Sequence, residues 1–349
     1  MRRTRAPTIH DVAERAGVSA ATASNVVNGN RPVGKESRVR VLKAIADLGY
    51  RPNHLAAALR ARRSRLIGVV VPEISNPFFA SLVHGVEEQA AESDYELVLV
   101  SSSEDKAIEQ RRIGALLDRQ IEGLIVVPSS DDSFTALREK REGVLPPAVL
   151  VDRGCGSVGV DTVGAECMAG AYAATRHLIE LGHRDIAVLT PSIGLANIRA
   201  RIDGYTQALE DGGLGPRARV CVGGQQLDAL RGAIEQDLHR ADRPTAIFAL
   251  TNVAALAAIK AVRALGLDIP GDVSIVGFDD FDWMCALRPY LTTVAQPVDE
   301  FASSAWRLLM QRLSGAANTE DIRIELPCAL RVRESTGPAR PRLKIAAGA

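Results

Sequence analysis

From Leu66 onward the chain repeats one pattern, a short apolar run rich in β-branched residues followed by a helical stretch of roughly 10 to 18 residues. Eight such runs occur: LIGVVV, ELVLVS, GLIVV, AVLVD, IAVLT, RVCV, AIFAL and VSIVGF. Runs this apolar are buried on both faces, and strands that alternate with helices form parallel sheets from βαβ units. This constrains the C-terminal part of the chain to an α/β architecture of one sheet or two. The Gly-rich segment RGCGSVGVDTVGA, residues 153–165, is irregular between two regular stretches. It is the expected seam between two lobes.

The residues before Leu66 have a different composition. Residues 1–65 carry 14 Lys or Arg against 4 Asp or Glu, whereas the remainder carries 28 against 38. A formal net charge of zero therefore hides a basic end on an acidic body. Such a split suits a module for an anion such as nucleic acid, although a solvated basic arm accounts for the charge alone. Residues 8–48 read as three short helices. Thr8 with Asp11 resembles a capping box, Gly17 breaks the first helix, and Ser19 is a good N-cap for the second. The third, KESRVRVLKAIADL, is expected to bury Val39, Leu42, Ile45 and Leu48 and to end at Gly49. Pro52 then forbids continuation. The Ala-rich run from Asn53 to Arg63 has high helix propensity but falls below the ~12 to 15 residues at which isolated helices become marginal, so its helix is conditional.

The second helix lies in GVSAATASNVVNG, a stretch without a charged residue. Two helices joined by a tight turn, the second carrying small polar side chains, are what a major-groove reader needs. That signal alone fits any small three-helix domain. The residues are more specific. TIHDVAERAGVSAATASNVVNG, followed by SRVRVLKAIADLGYRPNHLAAALR, closely resembles the DNA-binding headpiece of the LacI/GalR, or lactose repressor, family. The likeness continues in family order through IGVVVPEISNPFFASLVHGVE, LIELGHRDIAVL, PTAIFAL, DVSIVGFDDF, LTTVAQP and LRVREST.

The resemblance implies an all-α helix-turn-helix headpiece (1–50) plus a hinge helix (51–65). These join an α/β, two-lobed core like that of periplasmic binding proteins (66–337), with parallel sheets. The N-lobe would hold about 66–163 plus 296–325 and the C-lobe about 164–295 plus 326–337, with three crossings between them. Residues 338–349 would form a flexible tail. It further implies a homodimer on a pseudo-palindromic double-stranded DNA operator, controlled by a small-molecule effector such as a sugar held between the lobes. Matched position by position, Ala20, Ala21 and Asn25 fall at base-reading sites, and Thr8, Ser19, Thr22, Ser24 and Asn28 at phosphate-contacting ones. Leu59 matches the leucine that wedges into the minor groove, with Ala56 and Arg60 beside it. An apolar wedge of this kind kinks DNA, and the bent duplex contacts more protein surface in return.

Open α/β sheets bind ligands beyond the carboxyl ends of their strands. The loops there carry Asn76, Phe78 and Phe79 after LIGVVV, Arg201 after IAVLT, and Asp279 after VSIVGF. An aromatic face, a guanidinium fork and a carboxylate together suit a polyhydroxylated or charged ligand. The matching family positions line the effector site, and the resemblance adds Arg153, Gln225 and Asn252. Asp279 and Asp280 are adjacent, so only one of them is expected to point inward; Asp279 is the choice. In the family an Asn-Asp or Asn-Asn pair usually follows PTAIFA, but here Leu250, Thr251 and Asn252 stand there, and Thr162 stands where Asn is common. Both departures bear on the sugar chemistry.

The one GxGxxG match, GCGSVG at 154–159, lies in the irregular Gly-rich segment rather than opening a helix, and no P-loop, GxSxG or HExxH occurs, so the chain is not expected to be an enzyme or to hold a metal or cofactor. His183 reads as structural. The five scattered cysteines show no CxxC pair, no apolar run is long enough to span a bilayer, and no secretory signal opens the chain. A reduced cytoplasm is the expected location, with no membrane partner. The α/β body alone would also suit a solute-binding protein without a regulatory role, but the basic headpiece argues against it. The tail after Arg333 lacks leucine heptads, so a dimer is expected rather than a tetramer.

Overall fold

A computed structural model describes residues 7–28, 31–50, 64–141, 144–154, 159–286, 288–315 and 320–340. Its contacts divide the chain between Ser64 and Arg65 into two units. The first contains helices Ile9–Ala16, Ala20–Asn28 and Lys35–Leu48. Thr8 Oγ1 accepts from the Asp11 amide, and the Asp11 carboxylate accepts from the Thr8 amide at 2.6 Å, a complete capping box. Gly17, at φ 63°, ends the first helix in the left-handed region that glycine enters without penalty. Ser19 Oγ accepts from the Thr22 amide at 3.1 Å and starts the second helix.

Val12, Ala13, Ala16, Ala23, Val41 and Ala44 form the core of this unit, with Ile45 and Leu48 packed against it. The expected stripe on the third helix is therefore corrected. Val39 is 65% exposed and Leu42 51% exposed. At about 100° per residue, positions 39 and 48 lie on opposite sides of a helix, so one face cannot bury both. The buried set is the i, i+3, i+4, i+7 row that starts at Val41.

The second unit holds two six-stranded sheets. The first joins β1 (Leu66–Val71), β2 (Glu96–Ser101), β3 (Gly123–Val126), β4 (Ala148–Val151), β5 (Asp161–Ala165) and β11 (Arg323–Leu326) in the order β11-β5-β4-β3-β1-β2. The other joins β6 (Ile186–Thr190), β7 (Arg219–Val222), β8 (Ala246–Ala249), β9 (Ser274–Phe278), β10 (Thr292–Ala295) and β12 (Ala329–Arg331) in the order β12-β10-β9-β8-β6-β7. Every pairing is parallel except β10 with β12. The chain passes between the sheets three times, after β5, after β10 and after β11. All eight expected runs are strands. Four more are added among the described residues: β5, inside the segment expected to be irregular, and the short β10, β11 and β12. β5 reads DTVGA and lacks an apolar run, because its end is held by polar contacts. Arg312 binds Asp161 through two hydrogen bonds of 2.8 and 2.6 Å.

Alternating residues of β1 explain the layers. Ile67, Val69 and Val71 face Phe78, Leu82, Phe301 and Leu309, whereas Val70 faces Ile113, Leu116 and Leu137. With both faces of each sheet covered by helices, the open ends of the strands are left to form the site. His183 is buried in hydrogen bonds with Thr245, Ser274 and the Gly337 carbonyl, as a structural histidine would be.

Candidate DNA-reading helix and effector cleft

In the headpiece, the helix Ala20–Asn28 turns Ala23 into the core and leaves Ala21 exposed, with Thr22, Ser24 and Asn25 half-buried. Ala21 and Asn25 are four residues apart and share a face. Ala20 is packed in part against the core. Among the expected phosphate-contacting residues, Thr8 is already engaged by its capping box, while Ser19 and Thr22 share a hydroxyl hydrogen bond of 2.8 Å. The Asn28 side chain and the hinge positions Ala56, Leu59 and Arg60 lie outside the described residues.

In the larger unit, a cavity of about 560 Å³ opens between the carboxyl ends of the two sheets. All eight expected effector residues line it: Asn76, Phe78, Phe79, Arg153, Arg201, Gln225, Asn252 and Asp279. Asn76 caps the helix Pro77–Glu92, accepting from the Phe78 amide at 3.1 Å, and so fixes the loop after β1. Phe78 and Phe79 meet edge to face at 5.3 Å. They are 3% exposed, so both belong to the core as much as to the cavity wall. Gln225 stands exposed at the cavity edge.

Arg201 rises from the helix Ala196–Asp211. Its guanidinium lies 3.6 Å from the Phe278 ring centroid, and Nη1 donates to the Leu250 carbonyl at 2.6 Å. Asp279, at φ 75°, accepts from the Asn252 side chain at 3.1 Å and from Gln296 at 2.6 Å. Asp280 turns away. Burial alone would raise its carboxyl, but Arg333 at 2.6 and 2.8 Å, with Thr293, holds it below the usual carboxylate range. Asn252, in place of a carboxylate, is a tie between the lobes: its Nδ2 reaches Asn76 Oδ1 at 3.0 Å as well as Asp279. Thr162 lies buried within β5 and does not line the cavity.

Among the cavity residues that the sequence did not single out, four bear on its polar contacts: Asp152, Asn197, Gln296 and Glu104. Asp152 ends the run AVLVD at φ 63°, and Asn197 Nδ2 donates to its Oδ2 at 3.2 Å. Its Oδ1 is buried without a hydrogen-bond partner, 4.0 Å from Arg201 Nη2. Burial raises its carboxyl above the usual range, with Arg201 and Arg153 opposing. Gln296 carries a second orphan, Oε1. Glu104 is the fourth and holds Arg153. A carboxylate at a strand end was a usable sign for Asp152, but nothing local marks Glu104, whose partner lies 49 residues away. A further link between lobes lies outside the cavity lining: Asp131, beyond β3, accepts from Arg199 at 2.6 Å and from the Ala196 amide at 3.0 Å.

Among the described residues no helix is long and apolar enough to cross a membrane, and no cluster of three His, Cys, Asp or Glu is arranged to hold a metal. The arrangement is thus a hydrogen-bonding cleft above two strained carboxylate-bearing turns, together with a separate small-residue helix in a basic module.

Known proteins combine these two parts. Residues 8–53 match the family described as "Bacterial regulatory proteins, lacI family", and residues 175–336 match "Periplasmic binding protein-like domain". The HTH-type transcriptional regulator DegA of Bacillus subtilis (strain 168) is 34% identical over 335 residues, covering 95% of this chain and 98% of DegA. The lac repressor dimer bound to operator and the anti-inducer ONPF superposes with a TM-score of 0.85 at 27% identity, over 95% of this chain and 100% of that one. The transcriptional regulator CelR in complex with cellobiose gives a TM-score of 0.69 at 32% identity, over 94% and 99%. On these grounds the chain belongs to the LacI family of bacterial regulatory proteins.

Proposed function

We infer that this protein is a ligand-responsive, sequence-specific DNA-binding repressor that acts as a homodimer on a pseudo-palindromic operator. The observation that carries this reading is the pairing, in one chain, of a lacI-type headpiece with a two-lobed cleft whose eight expected lining residues meet. It is not an enzyme: its relatives are regulators. The solute-binding alternative leaves the headpiece without a use. The operator bound by the lac repressor dimer and the cellobiose bound by CelR support a DNA partner and a sugar or similar polar metabolite as effector. The cytoplasm, where the DNA is, is the proposed location.

Division of labour in the headpiece follows from chemistry. Arg and Lys supply the salt-sensitive hold on phosphates, and the neutral helix reads bases. Alanine side chains at 20 and 21 neither donate nor accept, which leaves contact with a thymine methyl group. Asn25 is the long polar reader, suited to a bidentate contact with adenine. Sequencing of genomic fragments captured by the full chain should return one enriched palindrome. Asn25→Ala should change the preferred base within each half-site and cost about 1 to 3 kcal/mol on the original site. No enriched palindrome, with or without candidate ligands, would sink the repressor reading; an unchanged half-site with Asn25→Ala would sink only the assignment of Asn25.

A further inference from the structure

Charged groups of the cleft are unequal in number and in availability. Four carboxylates line it, Glu73, Glu104, Asp152 and Asp279, against two guanidinium groups, Arg153 and Arg201. Each guanidinium has a carboxylate beside it. Arg153 Nη1 and Nη2 donate to the two oxygens of Glu104 at 2.7 and 2.9 Å, and Nη1 also reaches the Pro128 carbonyl at 3.2 Å. Arg201 Nη1 donates to the Leu250 carbonyl and its guanidinium lies over the Phe278 ring, while Nη2 stands 4.0 Å from Asp152 Oδ1. What remains is the buried Nε–H of each arginine, Arg201 Nη2 beside Asp152, and the buried acceptors Asp152 Oδ1 and Gln296 Oε1.

Donors set beside acceptors match hydroxyl groups, each of which both donates and accepts. A phosphate or carboxylate asks instead for two parallel N–H groups; the Nε and Nη2 edge of Arg201 that could supply them already has Asp152 beside it, and an anion has no proton to offer that carboxylate. The backbone shows that the position of Glu104 is imposed: Ser103 and Glu104 adopt φ of 55° and 57°, a region that residues other than glycine rarely enter. A strained pair of this kind, next to a cleft, is where side chains are held for a purpose.

We propose that Glu104 is the specificity-determining residue of the cleft: by occupying the Arg153 fork, it makes the site accept an uncharged polyhydroxylated ligand and reject the phosphate or carboxylate of the same sugar. This inference rests on the effector-cleft reading above and narrows it. Selection here is partly repulsive, since an anion placed beside Asp152 and Glu104 meets like charge in a partly desolvated site.

The test uses the full chain and matched pairs of probes: D-ribose with D-ribose 5-phosphate, D-glucose with D-glucose 6-phosphate and with D-gluconate, and cellobiose alone. Thermal shift identifies the sugars that bind, and calorimetry measures each affinity. The expected result is that each sugar that binds does so at least tenfold more tightly than its anionic form. Glu104→Gln, which removes the charge that holds the Arg153 fork and leaves one acceptor in place of two, should reduce that ratio at least tenfold. Should Glu104→Gln fail to fold, Glu104→Asp breaks the two-point contact by shortening the side chain, and the ratio must fall there. Tighter binding of an anionic form to the wild type, or an unchanged ratio in a folded variant, overturns the proposal. Silence from every probe while the chain still captures its palindrome overturns it too, and leaves the repressor reading standing.

Discussion

Asp152 shows how a single residue can be placed for function at a cost to stability. It is 5% exposed, sits in a left-handed turn, and keeps one carboxylate oxygen without a donor. Burial lifts its carboxyl above the ordinary range despite two nearby arginines, so its folded value is higher than its unfolded one. A raised carboxyl stabilises the fold only while protonated, and the charged form destabilises it as pH rises through the folded value. Asp152→Asn keeps an acceptor for Asn197 and removes that charge. It should therefore raise the melting temperature at neutral pH by about 2 °C for each kcal/mol gained. The gain should shrink as pH falls toward the usual carboxylate range, where the wild-type side chain is also neutral. Thermal unfolding of both proteins from pH 7 down to pH 4 checks the sign; a variant less stable at neutral pH would contradict it. Ligand affinity should fall in the same variant, the usual trade between stability and a strained site.

At the scale of elements, what the sequence disclosed depended on how local the cause was. The capping box at Thr8 and Asp11, the glycine stops at Gly17 and Gly49 and the eight apolar runs are written within a few residues, and each appears in the structure. β5, β10, β11 and β12 carry no such run, because neighbours distant in sequence hold them, as Arg312 holds Asp161 across 151 residues. The third helix of the headpiece was assigned correctly but rotated, since a three-residue spacing drifts around a helix while the true stripe follows three and four in turn. The cleft was readable residue by residue wherever a loop follows an apolar run. It was opaque wherever a role depends on pairing, as with Glu104 and with the link from Asp131 to Arg199. That link lies at the edge of the cleft and joins the loop after β3 to the first turn of the helix Ala196–Asp211. Contacts made only when the lobes approach favour the arrangement that encloses a ligand, so their loss lowers the competent fraction and with it the apparent affinity. The Arg199 side chain is 50% exposed, which limits such a pair to about 0.2 to 1 kcal/mol. Asp131→Ala should weaken binding of an effector sugar by about two- to five-fold, and the difference should shrink in high salt. Calorimetry at low and high salt measures both; an effect unchanged by salt would assign the loss to the Ala196 amide contact instead.

For the whole molecule, the question is whether the two units communicate at all. A headpiece with a charge surplus and an acidic body with a cleft could share a chain without coupling, which is what a solute-binding protein with an added arm would do. A regulator cannot. If the effector changes operator affinity by some factor, the operator must change effector affinity by the same factor, because both are legs of one thermodynamic cycle. The factor expected for a working repressor is about 5 to 150, or 1 to 3 kcal/mol of coupling. Its sign follows from whether the ligand releases or strengthens DNA binding, but reciprocity holds for either sign. Calorimetric titration of the dimer with its effector sugar, alone and saturated with its palindrome, gives one leg. Operator binding with and without the sugar, at one fixed salt concentration, gives the other. Arg201→Met removes the guanidinium stacked on Phe278 and bound to the Leu250 carbonyl. It should abolish the response to sugar while leaving sugar-free operator affinity within a few fold, since that arginine belongs to the cleft and not to the headpiece. Equal factors on the two legs, both lost in Arg201→Met, are the behaviour of one allosteric molecule; a factor of one on both legs would make the headpiece and the cleft independent and return the solute-binding alternative.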